Sequence, residues 1–304
     1  MGFILGYIDI MKTSYIQKFM FDELPIKGSY VVLDDCWQII AAQREYPQGL
    51  EQLLGELLAA NVLLTNNLKL NGKVICQIQD NPAFKLVVSE CSHDGVVRAT
   101  AKFAPENESV TLYSDYFEEG HLVVSIDSKA DGQMYQSIIA FNGDNIGDIL
   151  NNYMLQSEQL KSWFLISYTP ERIVGFMLQQ LPDVHNDFSE DIERVFMLAN
   201  TLTHSELSHD KIERLLTKLF NEDNVVIMPP HPVKFACSCS RQRVAGVLRS
   251  LGSEELNSMI LDQGNIKVDC DYCNAEYKFS SKELELFVMQ LSLDELPAIS
   301  EQIN

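Results

Sequence analysis

Four cysteines stand in two close pairs, Cys237-Ser238-Cys239 and Cys270-Asp271-Tyr272-Cys273, with thirty residues between them. Two such pairs suit a tetrahedral metal site. Each pair supplies two ligands from one turn, and the intervening chain folds back to bring the turns together. Four thiolates about 2.3 Å from the ion select zinc, with iron less favoured. The first pair is C-x-C, so this is not an ordinary zinc ribbon. The alternative is four unliganded thiols. Against it, Lys234, Ser238 and Arg241 make a poor core environment. His231 is a conceivable substitute ligand, but four cysteines already complete the shell.

Four thiolates leave no open coordination position, which a catalytic zinc needs. A DNA-reading finger needs a basic helix, whereas residues 232–281 carry six basic and six acidic side chains. Structural and switch roles remain open. A module of ~50 residues carries only ~2.5–7.5 kcal/mol of stability. Zinc binding to such modules is worth ~10–16 kcal/mol. Removing the metal should therefore unfold the module, and oxidising the thiolates removes the metal. A C-x-C pair can close into a small, strained and easily reduced ring, which suits reversibility. Cys36, Cys76 and Cys91 each stand alone in an apolar pattern and read as inert buried thiols.

The whole chain bounds what these cysteines can serve. Its 304 residues suit two domains, and 46% apolar content supplies ample core. A net charge of −20 argues against nucleic acid and anionic membrane surfaces as partners. Glu56 interrupts the apolar stretch Leu53–Leu64 far short of a ~20-residue span. The start MGFILGYIDI has no basic n-region and carries Asp9, so it does not read as a signal peptide. Met11 opens a more ordinary start, and residues 1–10 read as an upstream extension. The chain reads as cytosolic, where thiols stay reduced.

The elements that must position the cysteines read as α+β. Gly28–Leu33 alternates towards a strand, and Leu50–Leu70 has apolar positions at helical spacing up to Asn71-Gly72. Strand-like runs follow at Lys73–Ile78, Phe84–Glu90, Gly95–Lys102, Val110–Tyr113 and Leu122–Ile126. Helices are predicted over Asn145–Ser157 and Glu171–Gln180. A run of strands followed by helices favours α+β over alternating βαβ. Pro182-Asp183 marks a boundary. Residues 183–231 hold ten acidic and four basic side chains. Two amphipathic helices are predicted there, Phe188–Asn200 and Leu207–Phe220, before the prolines at 229, 230 and 232 forbid further helix. The division is therefore an N-terminal domain over 1–182, a helical linker over 183–231, a zinc-binding module over 232–290 and a tail over 291–304.

At these residues the chain resembles the heat-shock protein 33 family, the redox-regulated 33 kDa chaperonins, from about Tyr15 to Phe287. That family's C-x-C, thirty-residue, C-x-x-C motif falls on Cys237, Cys239, Cys270 and Cys273. Its flanks match at Pro232-Val233-Lys234-Phe235, Ser240-Arg241 and Gln263-Gly264. Further likeness lies in Gly55–Ala60, Ser89-Glu90-Cys91, Tyr153–Leu160, Met177–Pro182 and Leu215–Phe220. The chain departs at Gln242, where the family usually has Glu, in the uncharged Gly132–Gln136, and around Asn224-Val225-Val226, which lacks the usual basic residue.

The resemblance implies an ATP-independent holdase of the bacterial cytoplasm, not an enzyme. It implies a reduced, monomeric, inactive form holding one Zn2+ per chain. It also implies an oxidised form with disulfides Cys237–Cys239 and Cys270–Cys273, zinc released, and module and metastable linker unfolded. That form binds unfolding client proteins, usually as a homodimer. The linker residues Ile192, Val195, Phe196, Leu198, Leu215, Leu216, Leu219 and Phe220 are the candidate client-binding surface, because unfolding two amphipathic helices uncovers them. The competing reading is a cytosolic protein whose zinc is purely structural, with an enzymatic or regulatory role elsewhere. No phosphate-binding Gly-rich loop, H-E-x-x-H or nucleophile elbow supports an enzyme.

Overall fold

The structure is a computed structural model that describes residues 13–68, 71–103, 112–128, 132–182 and 188–294. The chain divides into two compact units, Met1–Ala236 and Cys237–Asn304. In chain order the first unit contains β1 (Tyr15–Phe21), β2 (Ile26–Leu33), α1 (Asp35–Ala41), α2 (Gln48–Asn67), β3 (Gly72–Gln79), β4 (Leu86–Ser92), β5 (Val96–Lys102), β6 (His121–Ser128), β7 (Met134–Ala140) and α3 (Ile146–Gln156). It continues with β8 (Ser162–Tyr168), β9 (Ile173–Gln180), α4 (Ser189–Ala199), α5 (His204–His209), α6 (Ile212–Leu219), β10 (Val225–Ile227), β11 (His231–Pro232) and β12 (Lys234–Phe235). The second unit contains α7 (Arg241–Ser250), α8 (Ser253–Gln263), β13 (Ile266–Asp269), β14 (Glu276–Phe279) and α9 (Ser281–Asp294). The α+β class read from the sequence is what the structure has.

Two sheets form the first unit. One runs β10-β1-β2-β9-β8, with β11 also on β1; the other runs β12-β5-β4-β3-β6-β7. Helix α2 lies between them. It is apolar nearly all round, as a helix buried on every side must be. Leu50, Leu53, Leu54, Leu57, Leu58 and Leu63 share one core with Val31, Ile173 and Met177 of the first sheet and Val74, Cys76, Val87 and Cys91 of the second. Gly175 admits the helix: a Cβ there would stand 2.9 Å from Val31 Cγ1 and 3.0 Å from Leu63 Cδ1. Two polar groups on the buried stretch of α2 find partners. Asn61 Nδ2 donates to the carbonyls of Val74 and Ser89 at 3.2 and 2.9 Å. The Glu56 carboxyl accepts from the Tyr113 hydroxyl and from Gln52 Nε2, and burial pushes it up to about 7.

The opposite face of the first sheet is covered by residues 192–220. Phe19, Phe21, Tyr30, Val32, Val174, Phe176 and Leu178 share a second core with side chains of α4 and α6.

Several sequence expectations are corrected. Residues 173–180 form the strand β9, not a helix. The strand is central and apolar on both faces, and such a run has no alternation to separate it from a buried helix. The helix predicted over Leu207–Phe220 is two helices, broken where Asp210 and Lys211 take extended backbone. Helix α2 ends at Asn67, before the expected Asn71-Gly72. Of the strand expected over Val110–Tyr113, residues 110 and 111 lie outside the described residues, and Tyr113 opens a short 3-10 turn. The possible extension, residues 1–10, also lies outside them, as do residues 183 and 295–304.

Candidate metal centre

The second unit places the cysteines on two turns. The β13–β14 hairpin pairs Val268 with Tyr277 and Asp269 with Glu276, so residues 270–275 form its tip. There the Cys270 N–H donates to the Ala275 carbonyl at 3.0 Å and the Asn274 N–H to the Cys270 carbonyl at 2.9 Å. The reversal needs a left-handed residue, and Asn274 supplies it at φ 53°. Cys270 and Cys273 therefore project from one tight knuckle. Cys237 and Cys239 precede α7, whose first turn is capped by Ser240 accepting from the Arg243 N–H at 3.2 Å. The Arg243 guanidinium donates to the Ser238 carbonyl at 2.6 Å, which holds the short Cys-Ser-Cys turn against the helix.

The two turns meet. All four sulfurs lie within 4.8 Å of one another. Cys237 Sγ is 3.6 Å from Cys270 Sγ, and Cys239 Sγ is 3.4 Å from Cys273 Sγ. A tetrahedron of sulfurs about 2.3 Å from a central zinc has edges of about 3.8 Å. The donor set and its spacing thus fit zinc held by Cys237, Cys239, Cys270 and Cys273. Bound there, a divalent cation would keep all four thiolates deprotonated. His231 lies on β11 in the other unit and is not one of this cluster.

The thiols differ in their surroundings. The Tyr277 hydroxyl donates to Cys239 Sγ at 3.1 Å and draws that thiol down to about 7. Burial raises Cys237, and burial pushes Cys273 up to about 12. The backbone N–H groups of Cys239 and Ala275 offset part of this at Cys237 and Cys273. Sequence reasoning missed Tyr277. The available signal was its place four residues after Cys273, on the strand that leaves the knuckle.

Cys36, Cys76 and Cys91 sit in the first unit at 1%, 0% and 2% exposure. Burial pushes Cys36 and Cys91 up to about 12 and raises Cys76 as well. Thiols of this kind are poor nucleophiles. Replacing all three with Ala or Val is expected to leave zinc content and any oxidant response within about twofold of the parent, read as metal per chain and thiol-oxidation rate. A variant that folds but no longer responds to oxidant would place the redox centre elsewhere.

The linker side chains are also accounted for. Ile192, Val195, Phe196, Leu215, Leu216, Leu219 and Phe220 are buried against the first sheet, and Leu198 packs at the edge of that core. Polar contacts also hold these helices to the sheet. The Tyr30 hydroxyl donates to the Asp210 carbonyl at 3.2 Å, and Ser167 Oγ donates to the His204 carbonyl at 3.0 Å. Arg194 pairs with both carboxylate oxygens of Asp223 at 3.0 and 2.7 Å.

Comparison with known proteins bears on the whole chain. The family model described as Hsp33 protein matches residues 14–280. The chain belongs to the Hsp33 family. The 33 kDa chaperonin of Chromobacterium violaceum is 40% identical over 269 residues, covering 88% of this chain and 91% of that protein. The 33 kDa chaperonin of Methylobacillus flagellatus is 38% identical, covering 92% and 96%. Among solved structures, the 33 kDa chaperonin of Thermotoga maritima, an Hsp33 homologue, superposes with a TM-score of 0.77 at 22% identity, over 92% of this chain and 99% of that one. At that identity the likeness speaks for the Hsp33 fold. Among the described residues, no helix is long and apolar enough to cross a membrane.

Proposed function

We propose that this protein is an ATP-independent holdase chaperone of the bacterial cytoplasm, held inactive by a zinc–thiolate centre and activated by oxidation of its four cysteines with loss of the metal. The reading is supported above all by the convergence of four sulfurs within 4.8 Å in a unit whose own core is small. The names of the relatives support the chaperone part.

In the reduced form Cys237, Cys239, Cys270 and Cys273 hold one Zn2+ per chain. Oxidation by a peroxide joins each neighbouring pair: two thiolates give up two electrons and their hold on the metal as the S–S bond forms, and the O–O bond of one hydrogen peroxide breaks to give two hydroxide ions, which take protons from solvent. The products are Cys237–Cys239 and Cys270–Cys273. The shortest sulfur separations cross between the turns, but in a tetrahedral cluster all edges are close and distance does not discriminate. Once the metal is gone, loop-closure entropy favours partners two or three positions apart over partners more than thirty apart. Local disulfides leave the two turns untied, so they cannot replace the metal as a staple.

The linker's helical part, residues 189–220, lies over the apolar face of the first sheet. Its loosening uncovers that face together with the linker's own apolar side chains, and the pair makes a client surface. The chain's charge of −20 keeps such an opened form soluble. A monomer when closed, it forms a homodimer when open, because the uncovered face can also pair with a second copy.

The test is aggregation suppression without ATP, with metal analysis and disulfide mapping on the same samples. Reduced protein is expected to carry one zinc and suppress nothing. Peroxide-treated protein is expected to carry none, to suppress aggregation, and to yield Cys237–Cys239 and Cys270–Cys273 peptides. Equal activity in both states, with zinc retained, would leave a purely structural centre.

A further inference from the structure

The contact from Tyr277 to the metal centre is a built feature. Tyr277 stands on β14 opposite Val268, and its ring packs at the edge of the core formed by Leu248, Leu256, Ile266 and Phe279. The knuckle at the hairpin tip aims the strand so that the hydroxyl reaches Cys239 on the other turn, at 3.1 Å. The residue thus belongs to the hairpin of the second cysteine pair and touches the first. The neighbouring sulfurs of Cys237 and Cys273 receive backbone N–H groups, which any sequence would supply. The Tyr277 O–H is a donor that depends on a side chain.

We infer that Tyr277 is a positioning residue that sets the oxidation threshold of the centre by hydrogen-bonding the Cys239 thiolate. This deepens the proposed redox function and rests on it. The physical reason is direct. A thiolate attacks a peroxide oxygen with a sulfur lone pair; a hydrogen bond engages one such pair and withdraws charge from it. The same bond orients the sulfur as a ligand, and outer partners of this kind typically change metal affinity by 10–100-fold. Tyr277 therefore acts as a brake. With it the centre holds its metal through low oxidant exposure; without it the centre fires early.

The experiment uses the full-length protein with Tyr277→Phe, which keeps the ring in its packing site, and with 3-fluorotyrosine at position 277, a stronger donor. Three quantities are read: zinc affinity by competition with a chromogenic chelator, the rate of zinc release under limiting hydrogen peroxide, and the unfolding temperature of the zinc-loaded protein. Y277F is expected to bind zinc about 10-fold more weakly and to release it about 10-fold faster, and the fluorinated protein to release it more slowly than the parent. Unchanged release in both variants would overturn the inference. So would release from Y277F that is as fast without peroxide as with it, because the change would then be one of metal affinity and not of the oxidation threshold. If Y277F fails to load zinc, the fluorinated protein alone decides, by whether release slows. The underlying reading fails separately, if the parent protein retains its zinc after full oxidation.

Discussion

Removing zinc from the reduced protein is expected to unfold the second unit while the two sheets of the first unit stay folded. The second unit has little else to hold it. Among the described residues, its buried apolar side chains are Ala245, Leu248, Leu256, Ile266, Phe279 and Leu284. Its sheet is one hairpin of two four-residue strands, a structure marginal in water by itself. Arg241 and Arg249 stack on Phe279 and Phe287, each with the guanidinium carbon 4.4 Å from the ring centroid, but these contacts lie near the surface. At the usual rate, about 70 residues supply ~3–10 kcal/mol, against ~10–16 kcal/mol from the metal. Chelation under reducing conditions, followed by hydrogen exchange, should abolish protection over 266–269 and 276–279 and preserve it in β2, β3 and β9. Cys270→Ser should do the same without chelator. Full protection of the hairpin after chelation would show that the apolar core suffices and that the metal is not the staple.

What was legible beforehand follows from how local each signal is. The clustering of the four cysteines could be read because such spacing is a property of two turns, and no tertiary knowledge is needed to see two close pairs. Helix α2 was legible because its apolar positions repeat over several turns. Strand β9 was not. Ile173, Val174, Phe176, Met177 and Leu178 face two different cores, one under α2 and one under the linker, and a residue run serving both has no period. The break at Asp210 was hidden for a related reason. The apolar spacing of Leu207, Ile212, Leu215 and Leu219 continues across the joint because both short helices lie on the same sheet face. Tyr277 was missed because its partner is 38 residues away, and only the closed knuckle brings the two together.

The segment that leads into the metal centre is more firmly held than its proline content suggests. Val233 is 1% exposed, and its N–H donates to the Ser14 carbonyl at 2.9 Å. The Lys234 N–H donates to the Gly95 carbonyl at 2.9 Å and the Ala236 N–H to the Val97 carbonyl at 3.2 Å. Gly95 is required there: it sits at φ 79°, and a Cβ would stand 2.5 Å from the Pro232 carbonyl oxygen. Strand β9 pins the linker at one end, and β10 to β12 pin it at the other. Opening therefore amounts to lifting the helices between two fixed points, with the energetics set by their apolar faces.

Leu215→Asp is accordingly expected to switch the protein on without oxidant. Leu215 is fully buried in the second core, on the face of α6 that also carries Ile212, Leu216 and Leu219. The other face carries Glu213, Arg214, Thr217 and Lys218, so the helix is amphipathic and owes its place to one stripe. An aspartate in that stripe loses the leucine's burial, ~2–5 kcal/mol, and must either bury an unpaired carboxylate at a cost of several kcal/mol or lift the helix off. Lifting is the cheaper course, because the polar contacts that oppose it can be exchanged for water: Tyr30, Ser167 and Arg172 to linker carbonyls, Ser167 to the Ser208 hydroxyl, and Lys161 to Glu193, while Lys218–Glu206 and Arg194–Asp223 are pairs within the linker itself. The sheet beneath survives, since β9 remains paired with both β2 and β8. Reduced L215D should therefore retain one zinc, bind a dye for exposed apolar surface, and suppress client aggregation at a level the parent reaches only after oxidation. Hydrogen exchange must show loss of protection over 189–219 with β9 intact. A variant that meets this condition, holds its zinc and still fails to suppress aggregation would mean that clients bind elsewhere, and that covering this sheet face is not what keeps the protein inactive.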